Sequence, residues 1–205
     1  MKKLGILAAA TVVLIAAIVA ITAFVYWDEF KTYEIKESVA VGTTIESFKL
    51  LDTNGTERSL NDLKGKNGAI VVFVSAQCPV VKQYNERISQ FAADFAGRDI
   101  NVIGINSNST ESLEWARSHA AEKYQFPVLI DKGNVLADKL GANVTPEIFY
   151  LNEKNVLVYH GAIDNSSSGE EITENYLRNA VEAKLSGKPI ERNRVKAIGC
   201  SIKRV

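Results

Sequence analysis

Hydrophobic and polar positions divide the chain near residue 28. From Leu4 to Trp27 no residue is charged, a run of 24 that is apolar on every side rather than along one stripe. At about 1.5 Å per residue it reaches roughly 36 Å, enough to cross a hydrocarbon core of ~30 Å. After Asp28 the pattern changes to short apolar runs separated by turn residues. Phe48-Lys49-Leu50-Leu51 alternates, and Asp52-Thr53-Asn54-Gly55 supplies turn chemistry before Thr56-Glu57-Arg58, which predicts a short hairpin. Ser59 is placed to cap the turn Leu60-Asn61-Asp62-Leu63, which Gly65 ends. Ala69–Val74 is continuously apolar and β-branched, the pattern of a strand buried on both faces. After Cys78-Pro79 a helix is predicted to about Ala96, with Val81, Tyr84, Ile88, Phe91 and Phe95 at helical spacing.

The alternation then repeats. Ile100–Ile105 predicts a strand, and the cap-rich Asn106-Ser107-Asn108-Ser109-Thr110 leads into a helix from about Glu111 to Tyr124. Trp115 and Tyr124 fall on that helix's packing face, and His119 on its surface. Phe126–Ile130 predicts a strand, Val135–Leu140 a short helix ended by Gly141, Ile148–Leu151 and Val156–His160 further strands, and Thr173–Leu185 an amphipathic helix stopped by Gly187 and Pro189. A buried central strand flanked by βα units and finished by a hairpin and a helix is α/β with a mixed sheet.

Charge sets the orientation of the apolar run. Lys2 and Lys3 precede it and Tyr26-Trp27 close it where an interfacial aromatic belt sits. The positive-inside rule therefore puts residues 1–3 in the cytoplasm, 4–27 in the membrane as a single transmembrane helix, and the rest across it. A cleaved signal peptide is the competing expectation, with Ile21-Thr22-Ala23 as a passable cleavage site, although the run exceeds the usual apolar region of about 7–15 residues. Both readings export the remainder to the periplasm or the exterior, where disulfides persist.

The whole chain has 205 residues, room for one ordinary domain and an appendage. Lys+Arg and Asp+Glu balance at 24 each, which argues against a dedicated nucleic-acid binder. Seven basic and two acidic residues in 182–205 leave a basic tail on an acidic body.

Candidate chemistry centres on two cysteines, Cys78 and Cys200, too few for a disulfide-dense mini-fold or a four-cysteine zinc site. His119 and His160 add little material for a metal centre, and no metal or organic cofactor is implied. Cys78 sits where the buried strand gives way to the long helix, with Pro79 at the first helical position, where a missing N–H is no loss. A thiol there meets the positive end of the helix dipole and free N–H groups, which lower its pKa below about 8.5 and raise its reactivity. A buried, inert thiol is the plainer alternative. The flanking Ser75, Gln77 and Pro79 and the strand-to-helix position favour the reactive one. Val144-Thr145-Pro146 precedes an apolar strand, where a cis peptide would turn the Thr145 backbone toward an incoming substrate.

Together these segments resemble the thioredoxin-like superfamily, and within it the redoxin or AhpC/TSA branch related to peroxiredoxins. The resemblance covers about 41–205. Val41-Gly42, Phe48-Lys49-Leu50 and Leu63-Lys64-Gly65-Lys66 are similar to the start of that branch's domain. Cys78-Pro79 resembles its nucleophile, and Val144-Thr145-Pro146 its cis-proline loop. Gly104–Asn108, Tyr159–Asp164 and Ile198–Lys203 resemble a peroxiredoxin-like subgroup. The chain departs from the family pattern in having Val81 where a Cys-x-x-Cys would place its second cysteine, and Val71 where a peroxiredoxin has proline.

The resemblance implies a thioredoxin-like domain over 41–187, after a spacer over 28–40 and before a tail over 188–205 that carries Cys200. Joined to the apolar run 4–27, it points to a membrane-anchored, extracytoplasmic thiol oxidoreductase. In that expectation Cys78 attacks a peroxide or a protein disulfide, an external thiol donor supplies electrons, and Thr145 and Pro146 shape the groove with Ser75, Gln77 and Pro79 in support. Turnover then needs a second thiol, and Cys200 is the other one in the chain. Cys200 can resolve the oxidised Cys78, form a static structural disulfide with it in a non-catalytic binding or chaperone-like module, or pair elsewhere.

Overall fold

A computed structural model describes residues 35–205, together with Thr22. Apart from Thr22, the anchor expected over 4–27 and the first part of the spacer lie outside the described residues. Among the described residues, no helix is long and apolar enough to cross a membrane.

Lys36–Val205 build one unit around a seven-stranded mixed sheet ordered β2-β1-β5-β4-β3-β7-β8. Its strands are β1 (Lys49–Asp52), β2 (Glu57–Ser59), β3 (Gly68–Val74), β4 (Ile100–Asn106), β5 (Val128–Ile130), β7 (Glu147–Leu151) and β8 (Leu157–Gly161). β3, β4 and β5 run parallel, whereas β7 pairs antiparallel to β3 with Ile70 opposite Tyr150. A separate two-stranded ribbon joins β6 (Val144–Thr145) to β9 (Cys200–Ser201).

Every residue of β3 is buried, because its alternating side chains enter two different cores. Ile70, Val72 and Val74 face one side with Val81, Tyr84, Ile88, Phe91 and Phe95 of α2 (Pro79–Ala96) and Leu177 and Val181 of α5 (Tyr176–Leu185). Ala69, Val71 and Phe73 face the other, against Leu136 and Leu140 of α4 (Val135–Leu140), Leu60 of α1 (Leu60–Leu63) and Ile202 from the C-terminus. At ~1.5–3 kcal/mol per large apolar side chain removed from water, the α2 face alone fixes that helix on the sheet. Ser59 caps α1 with a reciprocal Ser59–Asp62 capping box.

Three expectations, for Trp115, His119 and the start of α5, need correction. The helix expected from about Glu111 is α3 (Leu113–Lys123), capped by Ser112. Trp115 is 49% exposed rather than packed, so Ala116, Ala120 and the following Tyr124 supply that helix's buried side. His119 is half-buried instead of on the surface, with Nε2 3.2 Å from Asn85 Nδ2 and its ring edge-on to Tyr124. α5 starts at Tyr176, three residues later than the periodicity suggests, because 164–175 is tied into a loop by Asn165, which takes hydrogen bonds from the N–H groups of Thr173 and Glu174.

Candidate active site

The C-terminal end of β3 and the N-terminus of α2 meet at Cys78. This residue is the N-cap of α2, Pro79 occupies the first helical position, and the Val81 N–H points at Cys78 Sγ over 3.5 Å. Helix N-termini carry unsatisfied N–H groups and about half a positive charge, both favourable to a thiolate. Cys78 is 2% exposed and is bonded to Cys200, 122 positions further along the sequence, in a disulfide with Cα atoms 5.9 Å apart. Cys200, on β9, is only partly buried.

Ser75 stands behind the sulfur rather than against it. Its Oγ accepts the Cys78 N–H at 3.1 Å and donates its proton to Glu111. Glu111 also takes the Ala76 N–H at 2.9 Å, the Gln77 N–H at 3.2 Å, Asn106 Nδ2 at 2.7 Å and Asn108 Nδ2 at 3.0 Å. Burial works to raise the Glu111 carboxyl; the hydrogen bonds from Ser75, Asn106, Ala76 and Gln77 outweigh it and hold it below the usual carboxylate range. Gln77 is exposed and exchanges hydrogen bonds with Thr110, which ties the 75–77 turn to the loop after β4. Pro79 is exposed beside it.

The opposite wall is the loop between α4 and β7. The Thr145–Pro146 peptide is cis, and the Thr145 carbonyl oxygen lies 3.2 Å from Cys78 Sγ. Pro146 is buried next to it. Glu147 follows, buried, and accepts the N–H groups of Asn143 at 2.7 Å and Val144 at 3.0 Å while holding His160 Nε2 at 2.7 Å. His160 stacks on Phe149 and pairs through its backbone with Asn193 and Val195 of the tail. The C-terminal segment closes the site: Cys200 sits opposite Thr145 and Ser201 opposite Val144. Gly199 lies so close that an added Cβ would be 2.1 Å from the Thr145 oxygen.

Beside Pro146 a pocket is lined by Tyr84, Ile163, Asp164, Tyr176 and Lys196. Asp164 is buried, accepts the Tyr84 hydroxyl at 2.9 Å and pairs with Arg87. Burial and the Asp164 charge push Tyr84 up to about 12. Among the described residues, no group of three or more His, Cys, Asp or Glu side chains converges as a metal site would require.

The structure thus brings Ser75, Gln77, Cys78, Pro79, Thr145, Pro146 and Cys200 into one place. Glu111, Glu147 and the contact of Gly199 with Thr145 are absent from the sequence-derived site. The cap-rich run 106–110 ahead of Glu111 is the one local signal that points to a carboxylate-centred turn.

The model of the AhpC/TSA family matches residues 41–160. The thiol-disulfide oxidoreductase ResA of Bacillus subtilis is 27% identical over 126 residues, 60% of this chain and 68% of that protein. Among solved structures, a hypothetical protein from Sinorhizobium meliloti 1021 is 35% identical with a TM-score of 0.76, the match covering 82% of this chain and 97% of that one. A putative thiol:disulfide interchange protein DsbE from Chlorobium tepidum is 18% identical with a TM-score of 0.60, over 72% of this chain and 99% of that one, a likeness of fold, which is thioredoxin-like.

Proposed function

The chain belongs to the AhpC/TSA family and is a thiol-dependent oxidoreductase; from that premise we propose that Cys78 and Cys200 are its redox pair, cycling between dithiol and disulfide. The observation that carries this reading is the bond between a cysteine at a helix N-terminus and a cysteine on the terminal strand. In the dithiol state the Val81 N–H and the dipole of α2 stabilise the Cys78 thiolate, by ~0.3–2 kcal/mol for a helix terminus. That thiolate attacks an oxidant, a peroxide or a disulfide. Cys200, held opposite Thr145, then attacks the Cys78 sulfur and closes the disulfide. An external thiol donor reopens it. Ser75 holds the Cys78 backbone, Gln77 and Pro79 shape the turn around it, and Thr145 and Pro146 form the groove wall.

The same reading places the thioredoxin-like domain over 41–187 and the tail over 188–205 outside the cytoplasm, tethered by the apolar run 4–27. The charge pattern around that run and a disulfide suited to an oxidising compartment support it.

The test starts from full-length protein reduced with dithiothreitol and desalted. One equivalent of hydrogen peroxide is added, or of a small disulfide, and intact mass and a non-reducing peptide map are followed from seconds to minutes. The expected result is a loss of about 2 Da with a Cys78–Cys200 link, and no turnover in Cys78→Ser. A disulfide that resists dithiothreitol until the protein is denatured, or full activity in Cys78→Ser, rejects the proposal in favour of a structural bridge.

A further inference from the structure

We infer that the C-terminal strand is a specificity element: it fills the strand edge beside Cys78, confining the redox pair to small oxidants and turning away disulfides carried on extended polypeptide. The inference rests on the redox reading above and names the substrate class of the same site.

The edge of β6 abuts the Cys78 sulfur, through the Thr145 carbonyl. Its occupant in this structure shows what the edge accepts. An extended segment pairs antiparallel, with its cysteine opposite Thr145 and joined to Cys78. A substrate polypeptide adding itself as a strand would need the same edge, since strand addition takes its affinity from main-chain hydrogen bonds. Here those bonds are already made within the chain.

The disulfide is only one part of what holds the occupant. The Ile202 N–H donates to Asn143 O at 2.9 Å, and the Ile202 side chain, 1% exposed, belongs to the second core. The Lys203 N–H donates to Asn108 Oδ1 at 2.7 Å while its carbonyl accepts the Ser109 N–H at 2.8 Å. Arg204 reaches Asp138 at 2.8 Å and Ala142 O at 2.6 Å. None of these contacts involves a sulfur, so the strand has anchors that do not depend on the S–S bond. Gly199 packs against the Thr145 carbonyl too closely for another backbone to pass between them.

What can still reach Cys78 is an oxidant without an extended backbone. With a hydroperoxide, the thiolate takes the distal oxygen and the O–O bond breaks. The alkoxide leaves as the alcohol after taking a proton, the Cys200 thiol then displaces the sulfenic oxygen, and water departs as the S–S bond forms. With a small disulfide, the thiolate displaces one thiolate and Cys200 displaces the second, so two thiols are released for one Cys78–Cys200 bond.

The test uses the full-length protein, reduced, and compares hydrogen peroxide, hydroxyethyl disulfide, and the mixed disulfide of mercaptoethanol with an unstructured peptide of roughly ten residues. Closure of Cys78–Cys200 is timed by mass. The small disulfide is expected to react about 100-fold faster than the peptide disulfide, a gap expected to shrink to about tenfold or less in two separate tail variants, a truncation after Ser201 and Ile202→Asp. Both variants retain Cys200 and are checked for a cooperative thermal transition. Equal rates for peptide and small disulfide in the unaltered protein overturn the inference while leaving the redox pair standing. A gap that persists in a folded tail variant also overturns it. If none of the three oxidants closes the bond, the redox reading itself fails and this inference falls with it.

Discussion

At the scale of single residues, the carboxylate of Glu111 organises the turn that presents Cys78, through hydrogen bonds from Ser75, Ala76, Gln77, Asn106 and Asn108. Glu111→Gln turns one acceptor atom into a donor facing donors. We expect it to destabilise the fold by about 1–3 kcal/mol and to slow the reaction of Cys78. The folded-state pKa of Glu111 lies below its ordinary value of 4.5, so its contribution is complete above about pH 4.5 and is lost as pH falls through the lower folded value. Denaturant melts at pH 6 and pH 3.5 should therefore show the gap between the two proteins narrowing in acid; a constant gap refutes this role. Gly199→Ala is the second test. A Cβ 2.1 Å from the Thr145 oxygen forces the terminal strand back, and closure of the disulfide should slow about tenfold or more, since misplacement by ~1 Å costs rate steeply. Gly97→Ala, with nothing within 4 Å, is the control that should leave closure unchanged. Cys78 was legible in the sequence because a cysteine before proline at a strand-to-helix junction is a local pattern. Glu111 was not, since its partners lie as far as 36 positions away and meet only when β3 and β4 align.

At the scale of elements, the long apolar periodicities carried most of the fold: β3, α2 and β4 lie within two residues of where their patterns put them. The misses have physical causes. Trp115 falls at helical spacing yet is exposed, because the buried stripe of α3 is made of alanines too small to dominate a hydrophobic pattern. β6 and β9 have two residues each, too short for any period to register, and their pairing spans more than 50 positions. Yet this ribbon sets the geometry of the site. If the contacts of Ile202 and Lys203 hold β9 without help from the disulfide, amide exchange should report it. The Ile202 and Ser109 N–H groups, bonded to Asn143 and Lys203, should keep their protection on reduction to within about tenfold, the mark of an element that stays docked. Loss of protection down to that of a free terminus would mean that the disulfide alone holds the tail.

At the scale of the whole molecule, two effects pull the redox pair in opposite directions. Closing a loop of 122 positions removes entropy from the unfolded chain equivalent to about 5 kcal/mol in the chain-entropy model. By linkage the folded protein favours the disulfide by the same amount. Against this, the N-terminus of α2 stabilises the Cys78 thiolate and so the dithiol form, by about 0.3–2 kcal/mol. The loop term is the larger, so folding leaves a net preference for the disulfide of roughly 3–5 kcal/mol. At ~30 mV per 1.4 kcal/mol, this makes the pair about 65–105 mV more reducing than the same cysteines in the unfolded chain. A pair poised this way gives electrons up readily, which suits a protein that reduces oxidants rather than one that introduces disulfides. The two sides of this cycle can be measured independently. Denaturant unfolding of the oxidised and dithiol forms should differ by roughly 3–5 kcal/mol, and redox titration against a thiol buffer, native and in denaturant, should return the same energy as a difference in potential. A native potential equal to or above that of the unfolded chain would mean that thiolate stabilisation wins over loop closure, and that the pair is built to accept electrons instead.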